Sequence, residues 1–544
     1  MVNILFCIFY ILLFSAIIKR SSWFSAGGFS NKYFLGVFYL KLLFGVALWF
    51  IYTHIYKNRL TSDVFKYYDD ARIIFNTLHT STKDYLTLLT GIGDTSAHYQ
   101  DIYLTMNNWE NGYGTVLYSN SHFIIRMNAF FWLFSRGYYG VHVIFMCFIS
   151  LVGLMYIYKA FLPFLQDKSR ALFVAVFLFP SVILWSSGVL KEGFVWLGLG
   201  LAIYYFFKFS SQLSVVSSQK ETKILNPKSQ ISYLITYTLY LIIGLVVLFE
   251  SKAYVLLCII PAFVALLLVK KLRYCSAHPL LTYSIVLAVY LSSSFLPHIF
   301  LGKVSPLKML SDKQTDFNRI SRGGIYLAEI KDTEQYASIP ITDSTDIIPL
   351  NSLADSMAHK KGIQYLAENS FWYNELKTGK YVPFMLKHGA AYNSFRLWNN
   401  DTMHAIATDS TAYCICTYIE PAKSAIYIEP IRPTLKSLTY NTMQALKIAM
   451  LLPYPWKVHS AMTAIYCAEN IFVLIVIFVA LFFSKRPFLH KEIVLFCLAY
   501  CLMMLILIGM TTPILGGIER YKSVVIPFMF ILLLLITKKP EANG

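Results

Sequence analysis

Uncharged apolar stretches of about twenty residues recur along this chain, and they constrain its fold more than any other feature. The run from Ile231 to Phe249 is one, and Leu280 to Phe300 is another. A helix of roughly 20 residues crosses a hydrocarbon core of about 30 Å. Backbone N–H and C=O groups find no partner in lipid, so such runs must be helices. Only 14% of the 544 residues are charged while 57% are hydrophobic, far from the balance of a soluble domain. The expected fold is an all-α polytopic membrane protein with about 11 transmembrane helices. The candidate spans are 3–18, 34–56, 138–161, 171–188, 193–209, 231–250, 253–269, 280–300, 464–484, 492–510 and 523–537. The first is read as a retained span, with a signal anchor as the alternative.

The net charge of +18 does not form one stripe, so no nucleic-acid partner is expected. The basic residues fall instead into short connections between apolar runs: Lys19, Arg20 and Lys32; Lys168 and Arg170; Lys220, Lys223 and Lys228; Lys270, Lys271 and Arg273; Lys485, Arg486 and Lys491; and Lys538 with Lys539. These are alternate connections, and the positive-inside rule places them all in the cytoplasm. The N-terminus is then outside and the C-terminus inside. Three parts follow: an N-terminal transmembrane module, residues 1–300, with a first outer loop at 57–137; a periplasmic loop domain, 301–460; and a C-terminal transmembrane module, 461–544. The long loop is acidic and hydroxyl-rich from Asp332 to Asp355, with a helical pattern near Met357–Lys380. No internal repeat is evident, which weighs against an inverted-repeat transporter. Nine cysteines are scattered, and Cys414 and Cys416 are too close for ordinary disulfide geometry. No zinc-ligand spacing accompanies them; the cofactor is unknown, and a divalent cation is compatible with the sequence.

Short outer turns carry charges where charges are costly. Lys191-Glu192 follows Trp185-Ser186-Ser187-Gly188, Glu250-Ser251-Lys252 forms a whole turn, and Glu519-Arg520-Tyr521-Lys522 precedes the last span. A charge at membrane depth costs roughly 2.5–3.5 kcal/mol, so such residues pair or line a polar cavity. One reading is a single outward-facing chamber bordered by Lys191, Lys252, Arg520 and Lys522, suited to a phosphate. The other is a set of snorkelling or mutually paired residues that fix helix ends. The first outer segment supplies acids at Asp63, Asp69 and Asp70, with Tyr67 between Asp63 and Asp70 on one helical face. A carboxylate held there could act as a general base, or it could simply stabilise a helix N-terminus.

A span followed by Asp63, then Tyr67-Tyr68 and Ala71, resembles the first outer loop of GT-C type glycosyltransferases. Ile125-Arg126-Met127-Asn128, Phe134-Ser135, Val141-His142, Pro180-Ser181 and Arg520-Tyr521-Lys522 with Pro527 are similar to polytopic proteins of Bacteroidetes surface-polysaccharide loci. The last of these also resembles O-antigen polymerases. The resemblance implies a bacterial inner-membrane transferase whose catalytic acid is Asp63, with Asp69 and Asp70 as substitutes. It implies a polyprenyl-phosphate- or pyrophosphate-linked sugar donor held by Lys191, Glu192, Lys252, Arg520, Lys522 and Arg126, and a glycan or lipid acceptor. Membrane lipids are the remaining partners. For a second acidic motif, Glu192 and Glu250 are the candidates. The alternatives are an O-antigen-type polymerase or ligase, in which His388 and His404 become candidates, and a lipid or polysaccharide transporter.

Overall fold

The computed structural model describes residues 2–55, 59, 62–106, 109, 121–218, 227–293 and, apart from 423, 433, 459 and 485–487, residues 422–537. Between 310 and 419 it describes short helical pieces and seven strands. The helices of the first half are α1 (Val2–Arg20), α2 (Asn31–Phe50), α3 (Asp63–Thr77), α4 (Thr82–Thr90), α5 (Ala97–Leu104), α6 (Ser121–Ser135), α7 (Tyr139–Phe161), α8 (Ser169–Phe177), α9 (Pro180–Trp185), α10 (Glu192–Ser218) and α11 (Pro227–Lys271). Helices Leu435–Leu451, Ala461–Phe482, Lys491–Thr511, Leu515–Lys522 and Ile526–Ile536 follow the long loop. Six helices among the described residues are long and apolar enough to cross a membrane, and Pro279–Ser293 and Ile526–Ile536 are shorter apolar helices.

One of the six, Ile231–Lys271, has 41 residues, about twice what a bilayer core requires. It is two helices, because Lys252 leaves the helical region at φ −154° and ψ 84°. The first leg runs antiparallel to α10, with Tyr240 stacked on Tyr205 and Gly244 against Ala202. A Cβ on Gly244 would lie 2.6 Å from the Ala202 nitrogen, so only glycine permits this approach. The second leg returns parallel to α10, with Phe263 on Phe206 and Lys270 donating to Ser210 at 3.1 Å. The chain therefore reverses where the sequence placed the turn Glu250–Lys252.

The run expected at 171–188 is broken inside the membrane domain. Proline disfavours the helical region in the residue before it, and Phe179 is extended at φ −70° and ψ 130°. Helix α9 restarts at Pro180, whose missing N–H costs nothing at a first helical position.

Contacts at the other helix ends gather the basic connections together. Lys159 donates to the Trp23 carbonyl, and Lys168 donates to the Leu534 and Thr537 carbonyls at 2.6 Å each. Thr537 bridges Ser484, and Phe164 packs on His490 and Phe207. The connection with Lys220 and Lys223 lies outside the described residues, as does the chain end at Lys538. The reversal at Lys252 lies at the opposite end.

Segment α3–α6 sits at that opposite end. On α3, Val64, Phe65, Tyr68, Ala71 and Ile74 are buried at helical spacing. Tyr68 stacks on Trp132 and donates to the Gly137 carbonyl at 2.6 Å, and Tyr139 donates to the Val64 carbonyl at 3.1 Å. In the long loop, β1 (Gly324–Glu329), β2 (Tyr336–Ile339), β3 (Ile347–Pro349), β4 (Tyr381–Leu386) and β7 (Cys414–Ile419) form an antiparallel sheet of order β2-β1-β7-β4-β3. Strands β5 (Ser394–Arg396) and β6 (Thr402–His404) pair separately. The helical pattern expected near Met357–Lys380 and the candidate His388 lie outside the described residues; His404 ends β6.

Candidate functional site

Four separate pieces of chain bring charges to one point. Glu192 opens α10, where a carboxylate suits the helix dipole. Its side chain is fully buried, and Arg520 from the Leu515–Lys522 helix grips it bidentately, Nε to Oε1 at 2.6 Å and Nη2 to Oε2 at 3.0 Å. Lys252, at the α11 reversal, donates to the same Oε1 at 2.6 Å. The remaining arm of the guanidinium, Nη1, reaches Asp63 at the start of α3 at 2.6 Å. Forked, charge-assisted bonds of this kind are short and strong. Removing one partner from such a buried set costs about 3–5 kcal/mol.

The group is not neutral. Lys66 approaches Asp63 at 3.7 Å. Lys191 donates to Ser121 at 3.3 Å and lies 5.4 Å from the Tyr67 ring centre. Lys313, from the long loop, lies 3.9 Å from the Tyr254 ring centre, and Lys252 shares that ring at 5.7 Å. Lys252 is also 4.3 Å from the Tyr521 ring, and Arg520 is 5.7 Å from Trp185. Five basic groups thus face two carboxylates, and among the described residues no carboxylate pairs with Lys191 or Lys313. Trp185 Nε1 is buried with no hydrogen-bond partner among the described residues.

Electrostatics follow from this imbalance. Partial burial pushes the Asp63 carboxyl up, but the charges of Arg520 and Lys66 outweigh it and hold the group well below the usual carboxylate range. Burial, then the neighbouring Lys252, brings Lys191 down to about 7. Burial and Lys252 bring Lys313 down to about 8. An anion seated between them would reverse both shifts.

Among the residues singled out in the sequence, Asp63, Lys191, Glu192, Lys252 and Arg520 come together. Lys522 does not join them; it donates to Glu519 at 2.8 Å and to Asn470. Arg126 is also elsewhere, tied to Asp94 at 2.8 Å and the Leu88 carbonyl at 3.0 Å, over the Trp109 ring. Asp69 pairs outside with Arg59 at 2.7 Å, and Asp70 is fully buried. Glu250, two residues before the reversal at Lys252, makes no ion pair with the described members of the group. Sequence reasoning missed Lys313, Ser121, Tyr254 and Tyr521. Lys313 had no local signal, since one lysine in a long polar loop is ordinary.

Ser135, His142 and Asn128 line up like a hydrolase triad, Ser135 Oγ 2.9 Å from His142 Nε2 and His142 Nδ1 2.8 Å from Asn128. All three are completely buried, so the chain of bonds ties α6 to α7. No group of three or more His, Cys, Asp or Glu among the described residues could hold a metal ion. No protein-family model, no curated protein and no solved structure matches the chain.

Proposed function

We propose that the protein is a GT-C-like glycosyltransferase. It takes a sugar from a polyprenyl-phosphate- or pyrophosphate-linked donor and passes it to a glycan or lipid acceptor at the outer face of a bacterial inner membrane. The observation that carries this reading is the meeting of Arg520, Lys252 and Lys191 with Asp63 and Glu192 at the end away from the basic connections. The positive-inside rule assigns that end to the outside. A lipid-linked phosphate lies at this level of a bilayer, where an arginine fork and lysine point charges recognise it.

The two carboxylates have different parts. Glu192 is buried and holds Nε and Nη2 of Arg520. The Asp63 side chain is 40% exposed and holds only Nη1. A donor phosphate arriving from the bilayer competes for Nη1 and releases Asp63. The freed carboxylate regains ordinary basicity and takes the proton of the acceptor hydroxyl. As that oxygen bonds to the anomeric carbon, the bond from this carbon to the donor phosphate oxygen breaks. The lipid phosphate leaves as an anion held by Arg520 and the lysines. The base is weak until the donor is seated, which suppresses wasteful reaction with water. Asp69 and Asp70 take no part in this scheme.

A second reading is favoured by one feature: Arg520 engages both carboxylates at once. In an O-antigen-type polymerase or ligase, Arg520 would be the essential group and Asp63 its positioning partner. Arg520→Lys tests the shared requirement. It keeps a charge against Glu192 and loses the fork. Extension of surface glycan should fall roughly 100-fold, with polyprenyl-linked intermediates accumulating in membrane extracts. Unchanged glycan and no accumulation, at normal protein level, would sink both readings.

A further inference from the structure

The cations at this site have separate seats. Lys191 lies beside Ser121 and Tyr67. Arg520 and Lys252 meet on Glu192. Lys313 shares the Tyr254 ring with Lys252. Two like charges sharing one ring repel each other, and among the described residues no carboxylate relieves Lys313. A single phosphate is too small a centre to answer cations spread this way. It would sit at Arg520 Nη1 and Lys191 and leave Lys313 unanswered, since Glu192 already holds Lys252.

We propose that the site is built for a pyrophosphate, with one phosphate between Lys191 and Arg520 and the other between Lys252 and Lys313. This rests on the transferase reading above and narrows its donor from either lipid phosphate to the pyrophosphate-linked class. Charge supports the choice. A phosphomonoester leaving group carries roughly two negative charges at neutral pH, and a second phosphoryl unit adds about one more. The five basic groups exceed the two carboxylates by the amount such a leaving group neutralises. The long loop then contributes directly to recognition, because it delivers Lys313 to the second phosphate.

The proposal is tested by a binding measurement on the full chain in lipid nanodiscs. The probes are polyprenyl pyrophosphate, polyprenyl monophosphate, inorganic pyrophosphate and inorganic phosphate. The pyrophosphate lipid should bind about tenfold or more tighter than the monophosphate lipid. Inorganic pyrophosphate should displace it at concentrations where inorganic phosphate does not. Lys313→Gln should weaken pyrophosphate-lipid binding more than monophosphate-lipid binding and so remove the preference, and Lys313→Arg should restore it. Equal binding of the two lipids by the unaltered protein, or an unchanged preference in Lys313→Gln, overturns the proposal while the transferase reading stands. Binding of inorganic pyrophosphate as tight as the lipid keeps the pyrophosphate seat and removes the lipid-donor reading. No binding of any probe overturns both.

Discussion

Two ionic clusters share the Leu515–Lys522 helix, and they differ in the sign of their imbalance. Arg520 faces the Glu192 group, outer under the proposed topology, where basic side chains outnumber carboxylates. Glu519 and Lys522 face the other way, toward Asn470 and Glu469 on Ala461–Phe482. There Lys522 holds Glu519 at 2.8 Å, and Glu469 accepts from the Ser181 hydroxyl and backbone N–H at 2.5 and 3.1 Å. Two acids and one lysine make that group acidic, and all of it is buried. It has no exposed member, whereas the outer group has the partly exposed Asp63. The lesson is that a buried charge set reads as a fastener when every member is enclosed. It reads as a site when cations exceed anions and one partner can be exchanged.

The largest effect should come from removing a single enclosed partner. Glu192→Gln in the outer group and Lys522→Met in the inner one should each cost about 3–5 kcal/mol of stability, read as thermal unfolding in detergent. The comparison then predicts a split on repair. Lys522→Met combined with Glu519→Gln should recover most stability together with glycan extension. No second change beside Glu192→Gln should restore extension, because Arg520 has lost its support. Recovery of extension in the outer group by a charge-removing partner substitution would erase the distinction.

A smaller effect is expected at a lysine without a carboxylate. Lys191→Gln should move stability by less than about 1 kcal/mol, since no ion pair is broken. Donor affinity should fall about tenfold, near 1.4 kcal/mol. The opposite pattern, lost stability with retained affinity, would make Lys191 a fastener too.

A further effect is a pH dependence. Lys191 near 7 and Lys313 near 8 are both depressed in the empty site. A bound anion raises both, so the complex holds more protons than the free protein. Affinity should therefore be fullest below about pH 7 and weaken as pH rises through 7 to 9, by up to about tenfold per unit for each proton taken up. An affinity flat across that window would mean that neither lysine meets the ligand.

The polytopic helical character was legible because lipid permits so few solutions, and six helices among the described residues are long and apolar enough to span. The reversal at Lys252 could be read from Glu250-Ser251-Lys252, since charged residues interrupt an apolar run twice too long for one span. The convergence of Lys191, Glu192, Lys252 and Arg520 was legible for the same reason: each lies at an apolar run's end on one side. The errors came where spacing says nothing about direction. Lys522 is two residues from Arg520 and so points to another side of a short helix. Arg126 lies in a stretch that resembled a family motif, yet it is bound to Asp94 and Trp109. Lys313 comes from a distant loop, and its approach depends on tertiary packing that no local pattern encodes.

The central claim is that Asp63 is the exchangeable partner of Arg520 and the base for transfer. Asp63→Asn keeps the shape of the side chain and removes both its charge and its basicity. Donor binding and turnover should be measured separately on the reconstituted protein. The account predicts turnover lowered by about 10²–10⁴-fold, with donor affinity unchanged or tighter because the competitor for Arg520 Nη1 is gone. Full turnover in Asp63→Asn would contradict it.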